Sequence, residues 1–285
     1  MKNLCLFALF LFTTLAHAAS PNEVVIALKP DKNPDAMLAE RNDLEKFFSE
    51  KLKMKAKVII PMSGAVIQEG LANGTIDLAY VSGMELIKAD KVADLLLATK
   101  IKGKTSYESY WVVAKGKDYK TIADLKDKPV AFASRTSTSG FLIPVYDLVN
   151  KKLLKANANP ETFFGKGNVS FGTGYVSAIE KVLNGQAEAA AVSDYVILGD
   201  KHLSQEQKEK LVVLQAQGPV PSHMLALRKK LDEKTKEEFR LALLELNKNE
   251  VLRDRLFTAE LTTTTKEAQL ASLRDALQKT GITLE

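Results

Sequence analysis

The densest run of chemistry-bearing residues in the chain is Ser134-Arg135-Thr136-Ser137-Thr138-Ser139-Gly140-Phe141. An apolar stretch at 130–133 precedes it and an apolar run reaching 148 follows it, the pattern of strand, loop and helix start. The loop beyond the carboxyl end of a strand is where α/β lobes hold their ligands. Small residues at a helix start leave backbone N–H groups unused, the helix dipole favours negative charge there, and the hydroxyls add further donors. Helix capping alone needs one hydroxyl. Hydroxyls at Thr136, Ser137, Thr138 and Ser139 followed by Gly140 exceed that need and predict a cradle for a small oxyanion. Arg135 is a candidate charged partner for the same anion.

Two further helix starts share this chemistry. Met62-Ser63-Gly64-Ala65 makes Ser63 and Gly64 candidates, and Gly172-Thr173-Gly174-Tyr175-Val176 makes Thr173 and Tyr175 candidates. Capping and anion binding are evenly matched readings for each of these alone. Glu85 follows one apolar strand and Asp194 another. A carboxylate at position 85 could take an ammonium group or a protonated ligand oxygen. Asp194 could line a cleft, although capping the next helix is the favoured role. His223 stands alone and makes no metal site. With no G-x-S-x-G, no H-E-x-x-H and no evident base beside Ser137 or Ser139, the chain is not expected to be an enzyme, and no cofactor or metal is implied.

The elements that must position these residues alternate between strand and helix, which predicts α/β units with helices on largely parallel sheets. Residues 71–83 (LANGTIDLAYVSG) match residues 182–194 (VLNGQAEAAAVSD) in order and chemistry. Asn73-Gly74 pairs with Asn184-Gly185, Asp77 with Glu188, and Val81-Ser82 with Val192-Ser193. Each copy reads as a helix ended by Asn-Gly, a turn and a short apolar strand. The repeat predicts two similarly built lobes. Lys115-Gly116-Lys117-Asp118 and Gln217-Gly218-Pro219-Val220-Pro221 look like the crossings between them. Lobe 1 is then 23–114 plus 217–285, with C-terminal helices at 232–248, 250–259 and 266–280, and lobe 2 is 115–216.

At the N-terminus, Lys2 precedes an apolar run at 4–15 and then Ala16-His17-Ala18. This reads as a secretory signal peptide over 1–18, too short to span a membrane. Cys5, the only cysteine, lies within it, so an exported mature chain has no disulfide and no thiolate chemistry. A large disulfide-free exported chain points to a periplasm. The formal net charge of +5 is spread along amphipathic segments, which predicts a solvated surface rather than nucleic-acid binding.

Ser137-Thr138-Ser139-Gly140 followed by Pro144 resembles the STSG-x-x-x-P signature of the phosphate/phosphite/phosphonate-binding proteins of ABC importers. The segment 122–132 (IADLKDKPVAF) resembles that family's lead-in, and Tyr107 stands where the family often has a ligand-contacting tyrosine. The resemblance implies a two-lobed periplasmic-binding-protein type II fold, each lobe a mixed sheet flanked by helices, with two hinge crossings. It also implies capture of a phosphonate-, phosphite- or phosphate-like oxyanion between the lobes of a monomer, and delivery to a membrane permease. A sensor that presents its closed form to a membrane kinase is the alternative. Where the family commonly has a tyrosine, a histidine and a second tyrosine, this chain has Ser63-Gly64, residues 173–177 and Glu85-Leu86. Tyr175 is the candidate donor in place of the histidine.

Overall fold

The computed structural model describes residues 23–28, 34–61, 63–200, 202–256 and 260–284. The expected signal peptide, Met62 and the last residues of the helix expected over 250–259 lie outside the described residues.

Among the described residues, eleven strands make two sheets. The first sheet takes β1 (Glu23–Ala27), β2 (Lys55–Ile59), β3 (Leu78–Val81) and β4 (Ala93–Lys100). The chain then enters the second sheet with β5 (Ser106–Ala114), β6 (Val130–Phe132), β7 (Val169–Phe171), β8 (Ala189–Ser193) and β9 (Leu211–Pro221). It returns to the first with β10 (Met224–Arg228) and β11 (Glu260–Thr262). Spatial order is β11-β4-β10-β3-β1-β2 in one sheet and β7-β6-β8-β5-β9 in the other. Strands β2, β1 and β3 are parallel and β10 joins them antiparallel, while β7, β6 and β8 are parallel and β5 joins them antiparallel. The expected two-lobed α/β architecture with mixed sheets is therefore present, and the internal repeat marks equivalent units. Helix Gly64–Asn73 ends at Gly74, whose φ of 84° is the left-handed conformation that glycine adopts without a Cβ clash. Gly185, with φ 69°, follows the equivalent helix Tyr175–Leu183.

The central parallel strands β1 and β8 are apolar over most of their length because both sheet faces are covered there, while the edge strand β2 exposes Lys55 and Lys57. Val24 to Ala27 and Ala189 to Val192 are all buried. Acids of the repeat tie each unit to its neighbours. The Asp77 carboxylate accepts from the Val25 amide (2.9 Å) and from Arg228 Nη2 (2.6 Å) and Nε (3.1 Å). Its counterpart Glu188 accepts from the Tyr119 hydroxyl (2.9 Å) and pairs with Lys117 (2.8 Å).

The crossings differ from those expected. The segment 107–114, expected in lobe 1, pairs with β8 on one side and β9 on the other, so it belongs to the second sheet. The chain changes sheets between β4 and β5 and again between β9 and β10, at Ser222-His223. Residues 217–221, expected as a crossing, continue β9. Proline argues against a central strand because it cannot donate to the ladder. Pro219 and Pro221 are tolerated because β9 is the edge strand.

The last helix, Lys266–Thr280, braces the junction. Thr265 caps it, accepting from the Ala268 amide at 3.2 Å. Its Leu270 and Leu273 are buried in one cluster with Val81 and Met84 from the first lobe and Leu142, Ile143 and Val220 from the second. Gln269 Nε2 donates to the Thr105 carbonyl (2.8 Å) at the first crossing.

Candidate functional site

A cavity of about 180 Å³ lies between the two sheets. It is smaller than the roughly 300–1,000 Å³ of drug-sized sites, so it suits a ligand of few atoms. The first lobe contributes Ser82 and Glu85, and the second crossing contributes His223. The second lobe contributes Tyr107, Ser134, Thr136, Ser137, Thr138, Gly174 and Tyr175. No Lys or Arg is among these lining residues.

The hydroxyl loop leads from β6 into a π-helical turn, Thr138–Leu142, that continues as helix Ile143–Asn150. Ser137 caps it: its Oγ accepts from the Gly140 amide at 2.9 Å, and its carbonyl accepts from the Leu142 amide at 3.1 Å. The first amides of a helix have no acceptor within the helix. Those of Thr138 and Ser139 thus remain as donors at the tip. The Thr138 hydroxyl is buried, lines the cavity and has no hydrogen-bond partner among the described residues. A buried hydroxyl left unsatisfied costs about 1–3 kcal/mol, and an anion in the cavity would satisfy it. Gly140 is required for space, since a Cβ there would collide with that of Ala133 and crowd the Ser137 hydroxyl.

Ser139 is fully buried and holds the turn from behind. Its carbonyl accepts from Ser109 Oγ (2.5 Å), which accepts from Gln217 Nε2 (2.7 Å). Its Oγ lies 2.8 Å from the Tyr175 hydroxyl and accepts from the Tyr107 hydroxyl at 3.4 Å. Removal from water raises the Tyr107 pKa well above its ordinary value, and the neighbouring Tyr175 adds to this. Tyr107 is therefore a neutral hydrogen-bond donor through the physiological range. Between an ordinary phenol pKa of about 10 and the raised folded value, the unfolded chain loses this proton while the native chain keeps it. The stability this provides is complete below about pH 10 and is lost as pH rises through that window. Urea midpoints measured from neutral pH to above pH 10 are expected to fall less steeply in Tyr107→Phe than in the parent; equal slopes would contradict the buried-phenol account.

The structure gathers Thr136, Ser137, Thr138, Tyr107, Tyr175 and Glu85 at the cavity, with Ser139 and Gly140 in support. Other candidates lie elsewhere. Arg135 turns away from the cradle, and its guanidinium sits 4.3 Å from the Phe171 ring centre in a separate hollow. In this turned loop its neighbours Ser134 and Thr136 point into the cleft, their hydroxyls 3.4 Å apart, so the residue between them faces the other way. Asp194 is not among the lining residues; it is the first residue of helix Asp194–Leu198, whose N-cap is Ser193, and it accepts from the Tyr195 amide (2.7 Å) and the Glu108 amide (3.1 Å). Ser63 caps helix Gly64–Asn73, and Gly64 lies against the Glu85 carboxylate. The Thr173 amide and hydroxyl bond Ser177 Oγ, leaving Gly174 to face the cavity. Ser82, Ser134 and His223 were not foreseen as site residues. Ser82 was visible in the repeat, one residue past a strand end. His223 could be placed only by knowing where the chain changes sheets.

A family model described as the periplasmic substrate-binding protein of phosphonate ABC transporters matches residues 26–276. The chain belongs to this family. Among curated proteins, the phosphate-import protein PhnD of Mycolicibacterium smegmatis is 25% identical over 185 residues, covering 62% of this chain. The match spans 57% of that protein's length. Two solved structures show the same fold. XAC2383 from Xanthomonas citri, bound to ATP, superposes with a TM-score of 0.77 at 15% identity, covering 93% of this chain and 100% of that one. PhnD1 from Prochlorococcus marinus, in complex with methylphosphonate, gives 0.76 at 19% identity with the same coverages. The two-lobed binding-protein fold expected from the signature is thereby established.

Proposed function

We propose that this family member is the periplasmic solute-binding component of an ABC importer, that it clamps one small tetrahedral oxyanion of the phosphonate, phosphite or phosphate class between its lobes, and that it delivers this ligand to a membrane permease. The observation that carries the reading is the cradle at Ser137–Ser139. It combines a helix start, its first amides and a buried Thr138 hydroxyl with no partner among the described residues in one small cavity. Methylphosphonate in the related Prochlorococcus protein and phosphate import by the Mycolicibacterium relative support this ligand class. The cavity lies where the two sheets meet, so hinge closure around the ligand would exclude water from the cradle. The signal-like N-terminus and the family's location support the periplasm.

A thermal-shift screen with phosphate, phosphite and methylphosphonate tests the assignment. A ligand at a hundred times its Kd stabilises by about 2.7 kcal/mol, which raises Tm by several degrees. At least one of the three is expected to do so, and no shift with any of them rejects the function.

A further inference from the structure

The π-helical turn at the cradle is anchored from outside its own helix. Within the turn each bond runs from an amide to the carbonyl five residues back: Leu142 to Ser137 (3.1 Å) and Ile143 to Thr138. The next rung would join residue 144 to the Ser139 carbonyl. Residue 144 is proline, which has no N–H. Ordinary four-residue spacing would call on the same missing donor for the Gly140 carbonyl. Both carbonyls find donors elsewhere. Gly140 accepts from the Ala133 amide (3.1 Å), just past β6, and Ser139 accepts from Ser109 Oγ (2.5 Å) on β5.

The Ser109 contact belongs to a longer polar chain inside the second lobe. Ser109 is fully buried and lies opposite Gln217 in the β5–β9 pairing. A carbonyl can only accept, so the one proton of the Ser109 hydroxyl goes to Ser139, and the hydroxyl oxygen accepts from Gln217 Nε2 (2.7 Å). Gln217 Oε1 accepts in turn from Gln215 Nε2 (3.3 Å), which also donates to Asp147 Oδ2 (2.8 Å) on helix Ile143–Asn150. The Ser139–Gly140 peptide unit is thus held at both ends, its carbonyl by Ser109 and its N–H by Ser137 Oγ (2.9 Å). Tyr107, two residues before Ser109 and on the same strand face, adds a bond to Ser139 Oγ. This clamp sets how the turn is rotated about its axis, and with it the aim of Thr138 at the cavity.

We propose that Ser109 and Gln217 are positioning residues of the anion site: they replace, at the Ser139 carbonyl, the helical donor that Pro144 lacks, and they aim the first turn at the ligand without touching it. Neither residue is among those lining the cavity. The inference rests on the oxyanion-binding reading above. It gives Pro144 a use within the sequence signature. The proline leaves the turn's carbonyls open, so the neighbouring strands, rather than the helix, set the cradle's orientation.

The test is calorimetric titration of phosphate, phosphite and methylphosphonate into the parent and its variants, together with ligand-free Tm. Ser109→Ala leaves the Ser139 carbonyl and the Gln217 amide unpaired. It should lower ligand-free Tm and weaken the best-bound of the three oxyanions about tenfold, the worth of one hydrogen bond. Gln217→Met keeps the Ser109–Ser139 bond but no longer orients it, and should lose less, about threefold. Ser109→Ala combined with Gln217→Met separates positioning from stability. It removes the stranded amide, so Tm should recover toward the parent, because replacing both partners costs little. Affinity should stay about tenfold low, because Ser139 still has no donor. Asp77→Asn, which loosens the first lobe away from the cradle, is the stability control and should keep the parent's affinity while lowering Tm. Parental affinity in Ser109→Ala, or affinity that recovers in step with Tm in the double variant, overturns the positioning role and leaves the oxyanion function standing. Failure of the parent to bind any of the three overturns both.

Discussion

Ser137→Ala combined with Thr138→Ala is expected to abolish the oxyanion-induced rise in Tm while leaving the protein folded. A hydrogen bond to a charged group contributes about 1.5–3 kcal/mol, so losing two weakens binding by at least about a hundredfold. The two residues act differently on the ligand-free protein. Ser137 caps the π-helical turn through the Gly140 amide, and its removal costs about 1 kcal/mol of stability. Thr138 Oγ1 is buried without a partner among the described residues, so its removal takes away an unsatisfied polar atom. Thr138→Val alone is therefore expected to raise ligand-free Tm and lower oxyanion affinity together. Opposite signs for stability and binding mark a residue held in a strained polar state for its ligand. If Thr138→Val kept full affinity, the cradle would consist of backbone amides and the remaining hydroxyls.

Asp77→Ala is expected to be among the most destabilising single changes in the first lobe, costing about 3–5 kcal/mol. The side chain is 3% exposed and its partner Arg228 19% exposed, so the pair lies largely out of water. Alanine would leave the guanidinium uncompensated and the Val25 amide without its acceptor. A domain's whole stability is about 5–15 kcal/mol, so urea denaturation should show a large drop in midpoint at an unchanged slope. Asp77→Asn keeps an acceptor for Val25 and should lose less. A loss below about 1 kcal/mol for the alanine variant would mean that water reaches the pair and screens it.

These two results come from residues of unequal visibility. The hydroxyl run announced itself, because four consecutive hydroxyls and a glycine between an apolar strand and an apolar helix have few structural uses. Asp77 was visible only as a repeat position matching Glu188, with no hint of its partner. Arg228 lies far along the chain, and β10 brings it to β3 only because the chain returns to the first sheet. Arg135 failed as an anion partner for a local reason: side-chain direction in a turned loop follows the backbone torsions, which composition does not record. Tyr107 was placed at the ligand by resemblance and reaches the cradle because β5 lies in the second sheet.

Local chemistry thus carried the element types, the two-unit plan and the hydroxyl-rich helix start that lines the cavity. These depend on neighbours within about a dozen residues: hydrophobic period, glycine after a helix and hydroxyls at a helix start. Strand partnership, and with it the crossings, depended on which sheet edge was free to pair. The proline-bearing run at 217–221 reads as a loop until β9 is seen to be an edge. The same long-range choice set the opposite wall of the cradle. It brought Glu85 and His223 across from Ser137 and Thr138, and it put a carboxylate in the cavity wall that the hydroxyl run alone would not have suggested.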